Sequence, residues 1–229
     1  MGAVLRNPKV WIFGLCLLPL LRLIALGMDG GLGANPIEFV TRSTGTWTLV
    51  GLLATLAVTP LRRLTRRAGL VRYRRMLGLF AFFYASLHAV TYLWLDQFFE
   101  LVAIAGDIVK RPFITVGFTA FILLIPLAAT STQAMMRRLG RHWQALHRLV
   151  YAIAVLGVIH YVWLVKQDMT QPLIYGAVLA VLLAMRLPWG VRLLQAAREA
   201  GVRFRSPRWN GGKKTGHMVL LDGYWRERS

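Results

Sequence analysis

Six stretches of the chain are apolar over about the length of a membrane crossing, and the segments between them are short and mostly basic. The runs cover residues 10–27, 44–61, 76–95, 113–130, 142–164 and 172–190. A transmembrane α-helix needs about 20 predominantly apolar residues. The runs are continuous rather than alternating, which favours helices over barrel strands of about 9–11 residues with an in–out period. Helices also satisfy every backbone group within their own segment, as a hydrocarbon interior demands. The pattern therefore predicts an all-α fold, a six-helix transmembrane bundle. The first run follows a short basic start with Arg6 and Lys9, so a signal peptide is the rival reading. The run is long for that role, contains Arg22 and lacks a clean A-x-A site, and a retained span is expected.

The connecting segments carry their own signals. Residues 28–43 read as a Gly-rich connector containing Pro36. Pro60 is expected to end the second run, before a segment with seven arginines between Arg62 and Arg75. Residues 96–112 read as a loop in which Asp96, Glu100 and Asp107 face Lys110 and Arg111. Pro126 removes a backbone donor inside the fourth run, which favours a kink. A short turn, KQDMTQP, joins the fifth run to the sixth. The expected organisation is a transmembrane domain over residues 1–190 and a basic tail over 191–229.

Composition agrees with this layout. Of the 229 residues, 56% are hydrophobic and mean hydropathy is +0.52, against about 45–50% apolar in soluble domains. The net charge of +19 would suggest nucleic acid in a soluble protein. Here the basic residues alternate by side: 22 Lys and Arg fall on one side of the predicted spans and 4 on the other. The positive-inside rule then puts both termini in the cytoplasm, the tail against anionic lipid, and excludes nucleic acid as a partner. Trp11, Trp143 and Trp189 fall at the inner interface and Trp47, Trp94 and Trp163 at the outer one. The single cysteine, Cys16, can form neither an internal disulfide nor a cysteine metal site.

The candidate chemistry is histidine inside the membrane. His88 lies in the third run, and His147 and His160 lie in the fifth. Ionisable or metal-binding side chains in a span are costly and usually functional. His88 is 13 residues past Arg75, and His160 is 13 past His147. Both helices run outward, so each histidine comes about 20 Å up from the inner side at about 1.5 Å per residue. Matching depth on two helices is what two axial ligands of one haem require. Ala81 and Ala85 share the face of His88, with Gly78 at its margin, and either leave room for a flat ring or let helices approach closely. His147 is the inner histidine. Arg74, about 40° from the face of His88, is the better neighbour for it than Arg75 and a candidate for a haem propionate. His147 and His160 are also about 140° apart on an ideal helix, so sharing a face needs a π-bulge or a strong tilt. An interhelical hydrogen bond is the structural alternative for any of the three. Zinc fits less well, because structural zinc takes four ligands and no Cys, Asp or Glu lies near. His142 reads as an interfacial residue and His217 as a solvated one.

The segments LATLAVTPLRRL, RRMLGLFAFFYASLH, TSTQAMMRRLGRHWQALHRLVY, IHYVW and QPLIY, within roughly residues 5–190, carry a family resemblance. They resemble the haem-binding membrane subunit of the bacterial periplasmic protein-methionine-sulfoxide reductase system (MsrQ/YedZ type). That subunit belongs to the ferric-reductase-like transmembrane group, together with the NADPH oxidases. The resemblance implies that His88, His147 and His160 are haem-associated and metal-binding, and that haem b and FMN are cofactors. It implies a multi-pass protein of the bacterial inner membrane. Electrons would pass from the quinone pool, or from a cytoplasmic flavin reductase, to a periplasmic molybdopterin catalytic subunit in a heterodimer. The chain would then be an electron-transfer subunit rather than a catalytic one. The wider group has two histidines on its third helix where this chain has one, so the resemblance does not extend to a second bis-histidine haem. The oxidases also continue into a flavin and nicotinamide domain. The 39-residue tail has no G-x-G-x-x-G, and a separate donor is expected. Other readings from the residues are a ferric or quinone reductase with a different acceptor, and a metal or proton transporter. The acidic segment 96–112 and the Gly-rich segment 28–43 are the expected docking surface for the catalytic partner.

Overall fold

The computed structural model describes residues 7–165, 168–187, 191–192, 195–196, 218–221 and 224–227. The chain divides into two compact units, residues 1–195 and 196–229. The described part of the first unit is helical: α1 Pro8–Met28, α2 Pro36–Thr65, α3 Val71–Val90, α4 Leu101–Lys110 and α5 Pro112–Ala129, then α6 Gln133–Leu139, α7 Arg141–His147, α8 Leu149–Leu164 and α9 Thr170–Ala184. In the second unit, β1 Met218–Leu221 pairs antiparallel with β2 Tyr224–Glu227, Met218 opposite Glu227. The expectations for Lys166, Trp189, His217 and most of the basic tail lie outside the described residues.

Among the described residues, five helical stretches are long and apolar enough to cross a membrane. They are Pro8–Met28, Pro36–Thr65, Ala68–Asp96, Pro112–Ala129 and Arg141–Leu164. The sixth predicted span appears as α9, an apolar helix of 15 residues. The bundle's outside is apolar: Leu15 of α1 is 66% exposed and Trp11 64%, as lipid-facing positions are. The inside is a seam of Leu49, Leu52, Leu53 and Leu56 from α2, closed by small residues and leucines of α3, α5, α8 and α9.

Small residues set the closest approach. A Cβ on Gly51 of α2 would stand 3.0 Å from the Cα and Cβ of Ala81, which is itself fully buried. Gly78 faces Thr55 in the same way at a looser 3.8 Å. Of the two roles open to these small residues, Ala81 and Gly78 therefore serve helix packing, the usual device where lipid removes the hydrophobic drive between helices. The α2 threonines Thr44, Thr48 and Thr55 return their hydroxyls to the carbonyl four residues back, which hides them from the apolar surroundings.

Several boundaries differ from the sequence expectation for physical reasons. The second helix starts at Pro36 rather than at residue 44. Asn35 caps it: its Oδ1 accepts from the Glu38 N–H at 3.2 Å and its Nδ2 donates to the Glu38 carboxylate at 3.1 Å. Pro36 at the first helical position needs no N–H partner there. The same helix runs through Pro60 to Thr65. Proline leaves the carbonyl four residues earlier, that of Leu56, without its helical donor. The Nη2 of Arg186 donates to that carbonyl, while its Nη1 donates to Leu182 O. The guanidinium also lies 5.4 Å over the Tyr151 ring. Next to Pro19 in α1, a side chain from another helix opens the ladder itself. The Tyr84 hydroxyl inserts between Leu20 N–H, which donates to it at 3.2 Å, and Cys16 O, to which it donates at 2.7 Å. A side chain inserted into the helical ladder thereby fastens α1 to α3. Residues 96–112 are not a plain loop. A π-wound turn, Thr91–Asp96, ends the third span, Phe98 and Phe99 take positive φ, and α4 follows.

Candidate functional site

Two of the three intramembrane histidines come together. The rings of His88, on α3, and His160, on α8, lie 6.1 Å apart between centres, with their planes at 78°. The depth matching expected from the sequence is therefore realised in space. Each ring is held the same way. His88 Nδ1 lies 2.9 Å from the Thr41 carbonyl of α2, and His160 Nδ1 lies 2.6 Å from the Phe113 carbonyl of α5. A carbonyl only accepts, so both Nδ1 atoms carry a proton, and in the neutral rings Nε2 keeps its lone pair.

The two rings line one cavity of about 590 Å³, within the range of small-molecule and cofactor sites. Its walls are largely apolar, with Leu49, Ala85, Phe121 and Ile153 among them. At one end, where α2 and α5 begin and the third span ends, stand Glu38, Arg42, Asp96 and Arg111. Arg42 pairs with Glu38 at 2.6 Å and Arg111 with Asp107 at 3.3 Å. The Tyr92 hydroxyl donates to the same Asp107 carboxylate at 3.3 Å. Of the small residues on the His88 face, Ala85 lines the cavity and Ala81 does not.

The residues can be tested against the group that the sequence implies. The ring centres are 6.1 Å apart, close enough for one metal to reach a nitrogen of each ring at about 2.0–2.1 Å. Each Nδ1 has the backbone acceptor that orients metal-ligating histidines. Among the described residues no group of three or more His, Cys, Asp or Glu is placed to hold a metal ion. The donor set is two neutral imidazoles in an apolar slot, which fits a haem and does not fit a zinc site.

His147 stands apart and does not line this cavity. Its ring stacks on Trp143 at 3.9 Å, and its Nδ1 lies 3.1 Å from Trp143 O. Its Nε2 is buried without a hydrogen-bond partner. Trp143 in turn donates from its indole to Thr130 O at 3.0 Å. Arg74 is half-buried where Arg75 is exposed, and it acts electrostatically on His147. The fifth span is interrupted at Arg148, between α7 and α8. Arg148 N donates to Ala145 O and Tyr151 N to Arg148 O, three residues back rather than four. Such winding advances about 120° per residue instead of about 100°, which reduces the ideal-helix offset between His147 and His160. His142 is exposed.

Sequence reasoning did not find Thr41, Phe113, Gly45, Gly117, Arg42 or Arg111. Thr41 and Phe113 act through backbone carbonyls, which carry no residue-type signal. Arg42 falls within the connector 28–43 by its apolar pattern, because α2 starts earlier than its apolar run.

Comparison with known proteins adds an independent line. Residues 44–158 match the family model described as "Ferric reductase like transmembrane component". The protein-methionine-sulfoxide reductase heme-binding subunit MsrQ of Herminiimonas arsenicoxydans is 58% identical over 184 residues, covering 79% of this chain and 84% of the relative. The subunit of that name from Ralstonia nicotianae is 58% identical over 188 residues, covering 81% and 87%. That from Rhodospirillum rubrum is 52% identical over 202 residues, covering 86% and 97%.

Proposed function

Because the chain belongs to the MsrQ family, the heme-binding subunits of protein-methionine-sulfoxide reductase within the ferric-reductase-like transmembrane group, we infer that it carries electrons through haem, across the bacterial inner membrane, to a periplasmic catalytic subunit that reduces methionine sulfoxide. The observation that carries this reading is the facing pair His88 and His160, 6.1 Å apart, with both Nδ1 atoms on backbone carbonyls. Haem b, when bound, supplies one-electron oxidation and reduction of iron. The chain's own residues hold and tune it. His88 and His160 would hold its iron. The Thr41 and Phe113 carbonyls fix their tautomers and raise their basicity. The apolar walls exclude water. Arg42 and Arg111, at the cavity mouth, are the cations available to haem carboxylates, since arginine forks match that geometry.

Electrons enter at the inner side, near His147, Arg74 and Trp143, from the quinone pool or a cytoplasmic flavin reductase. The family resemblance adds FMN on that route. In this reading α9 completes a sixth crossing, both termini are cytoplasmic, residues 1–190 form the membrane domain and 191–229 a basic tail on anionic lipid. The catalytic partner, a molybdopterin subunit in a heterodimer, docks at the outer end. The exposed apolar residues Phe98, Leu101, Val102 and Val109 support that surface, since they flank the cavity-lining Asp96 and Arg111. The chain is thus an electron-transfer subunit, and the oxygen-atom chemistry belongs to its partner.

The test is a visible spectrum of the purified protein, oxidised and reduced. A Soret band and an α band that sharpens on reduction are expected. His88→Ala or His160→Ala should remove most of the absorbance. A colourless wild-type protein ends the haem reading, and loss of haem only on changing His147 ends the pairing.

A further inference from the structure

The two histidine contacts are built to one plan. Each hydrogen bond joins residues 47 apart, Thr41 to His88 and Phe113 to His160. In each case the accepting carbonyl lies four residues before a glycine of the same helix, Gly45 on α2 and Gly117 on α5. In an α-helix the carbonyl of residue i already accepts from the N–H of residue i+4. Its second lone pair is reached from beside residues i+3 and i+4; on α2 the Thr44 hydroxyl lies 3.1 Å from Thr41 O on the i+3 side, which leaves the i+4 side to His88. A side chain at i+4 blocks that approach, and glycine clears it. The distances bear this out. A Cβ on Gly45 would meet His88 Cε1 at 3.1 Å and Nδ1 at 3.2 Å. A Cβ on Gly117 would meet His160 Nδ1 at 2.7 Å and Cε1 at 2.8 Å. The imidazoles therefore lie against the bare glycine backbone, and their planes stand at 78° to each other.

We propose that Gly45 and Gly117 are positioning residues which seat His88 and His160 on the α2 and α5 carbonyls and so set the near-perpendicular orientation of the two ligand rings. The inference rests on the haem reading above. It assigns to two glycines a task that no side chain performs. It also ranks them: Gly117 has no slack, because its Cβ would stand closer than contacts allow, whereas at Gly45 the ring can give by a few tenths of an ångström.

The test uses the full chain in detergent or lipid, loaded with haem, as wild type, Gly45→Ala, Gly117→Ala and a control, Gly78→Ala. Gly78 is on α3 outside the cavity, and a Cβ there meets Thr55 at an ordinary 3.8 Å. Three readouts are taken: haem affinity by titration, the low-spin ferric electron paramagnetic resonance spectrum, and the midpoint potential. Gly117→Ala should lower haem affinity by about 10–100-fold, as loss of a ligand's orienting partner does. Gly45→Ala should keep its haem but shift the g-values and the potential, and Gly78→Ala should match wild type in all three. Because Gly45→Ala is only mildly crowded, it decides the matter even if Gly117→Ala does not fold. A Gly45→Ala protein whose spectrum and potential equal those of wild type overturns the proposal while leaving the haem reading intact. A wild type that takes up no haem overturns both.

Discussion

Consider replacing Arg186 with methionine. The guanidinium joins three helices, α9, α2 and α8. It donates to Leu182 O beside it and to Leu56 O of α2, and it covers the Tyr151 ring of α8. Leu56 O is free because Pro60, four residues on, has no N–H to give it. Hydrogen bonds from a charged group contribute about 1.5–3 kcal/mol in soluble proteins. A cation over an aromatic face adds about 0.5–1 kcal/mol or more when desolvated. Polar pairs inside membranes give less, averaging about 0.6 and reaching about 1.7 kcal/mol, because the unfolded chain in lipid also finds partners. The smaller scale governs here, and Arg186→Met should cost about 2 kcal/mol in all. The informative measurement is the cycle with Pro60→Ala. Alanine restores an N–H that reaches Leu56 O within α2, so the arginine becomes partly redundant. In that background Arg186→Met should cost about 1 kcal/mol less. The assay is reversible unfolding of the four purified proteins in mixed detergent micelles, followed by circular dichroism. If the two substitutions add to within about 0.3–0.5 kcal/mol, the link between Pro60 and Arg186 is refuted.

Two further outcomes follow from the packing. Tyr84→Phe removes the hydroxyl that bridges Leu20 N–H and Cys16 O, and should loosen α1 by about 1–2 kcal/mol. Hydrogen exchange should quicken in residues 16–20 while α5 and α8 keep their protection; unchanged exchange in α1 would contradict the bridge. Gly51→Ala drives a methyl into the backbone of Ala81 and should destabilise by about 1–3 kcal/mol. Gly78→Ala, with room to spare, should be neutral or stabilising in the same melt, and equal effects of the two would count against the tight α2–α3 contact.

Much of the site was legible before the structure. Apolar length and the sidedness of arginine gave the bundle, and equal spacing from the inner edge gave the matched depth of His88 and His160. These signals are strong because the bilayer is a uniform solvent that imposes one length and one charge rule on every span. The preference for Arg74 over Arg75 was an angular inference; Arg74 is half-buried, but it does not line the cavity of His88 and His160, as Arg42 and Arg111 do.

What stayed hidden has a common cause. Periodicity assumes ideal helices, and this chain departs from them where the chemistry is: a π-wound end after His88, a tight break at Arg148, a ladder bond opened by Tyr84 beside Pro19, and Pro60, whose freed carbonyl is served from another helix. An apolar window also misses polar first turns, so α2 was cut short and Thr41 and Arg42 were lost with its start, while Gly45, inside the run, carried no signal of its role. By itself the sequence determined a helical membrane protein with two histidines at one depth. Only the tertiary structure decided that they face each other across one cavity, on which carbonyls they rest, and which glycines make room, because a lone pair and a missing Cβ acquire meaning only when another helix arrives.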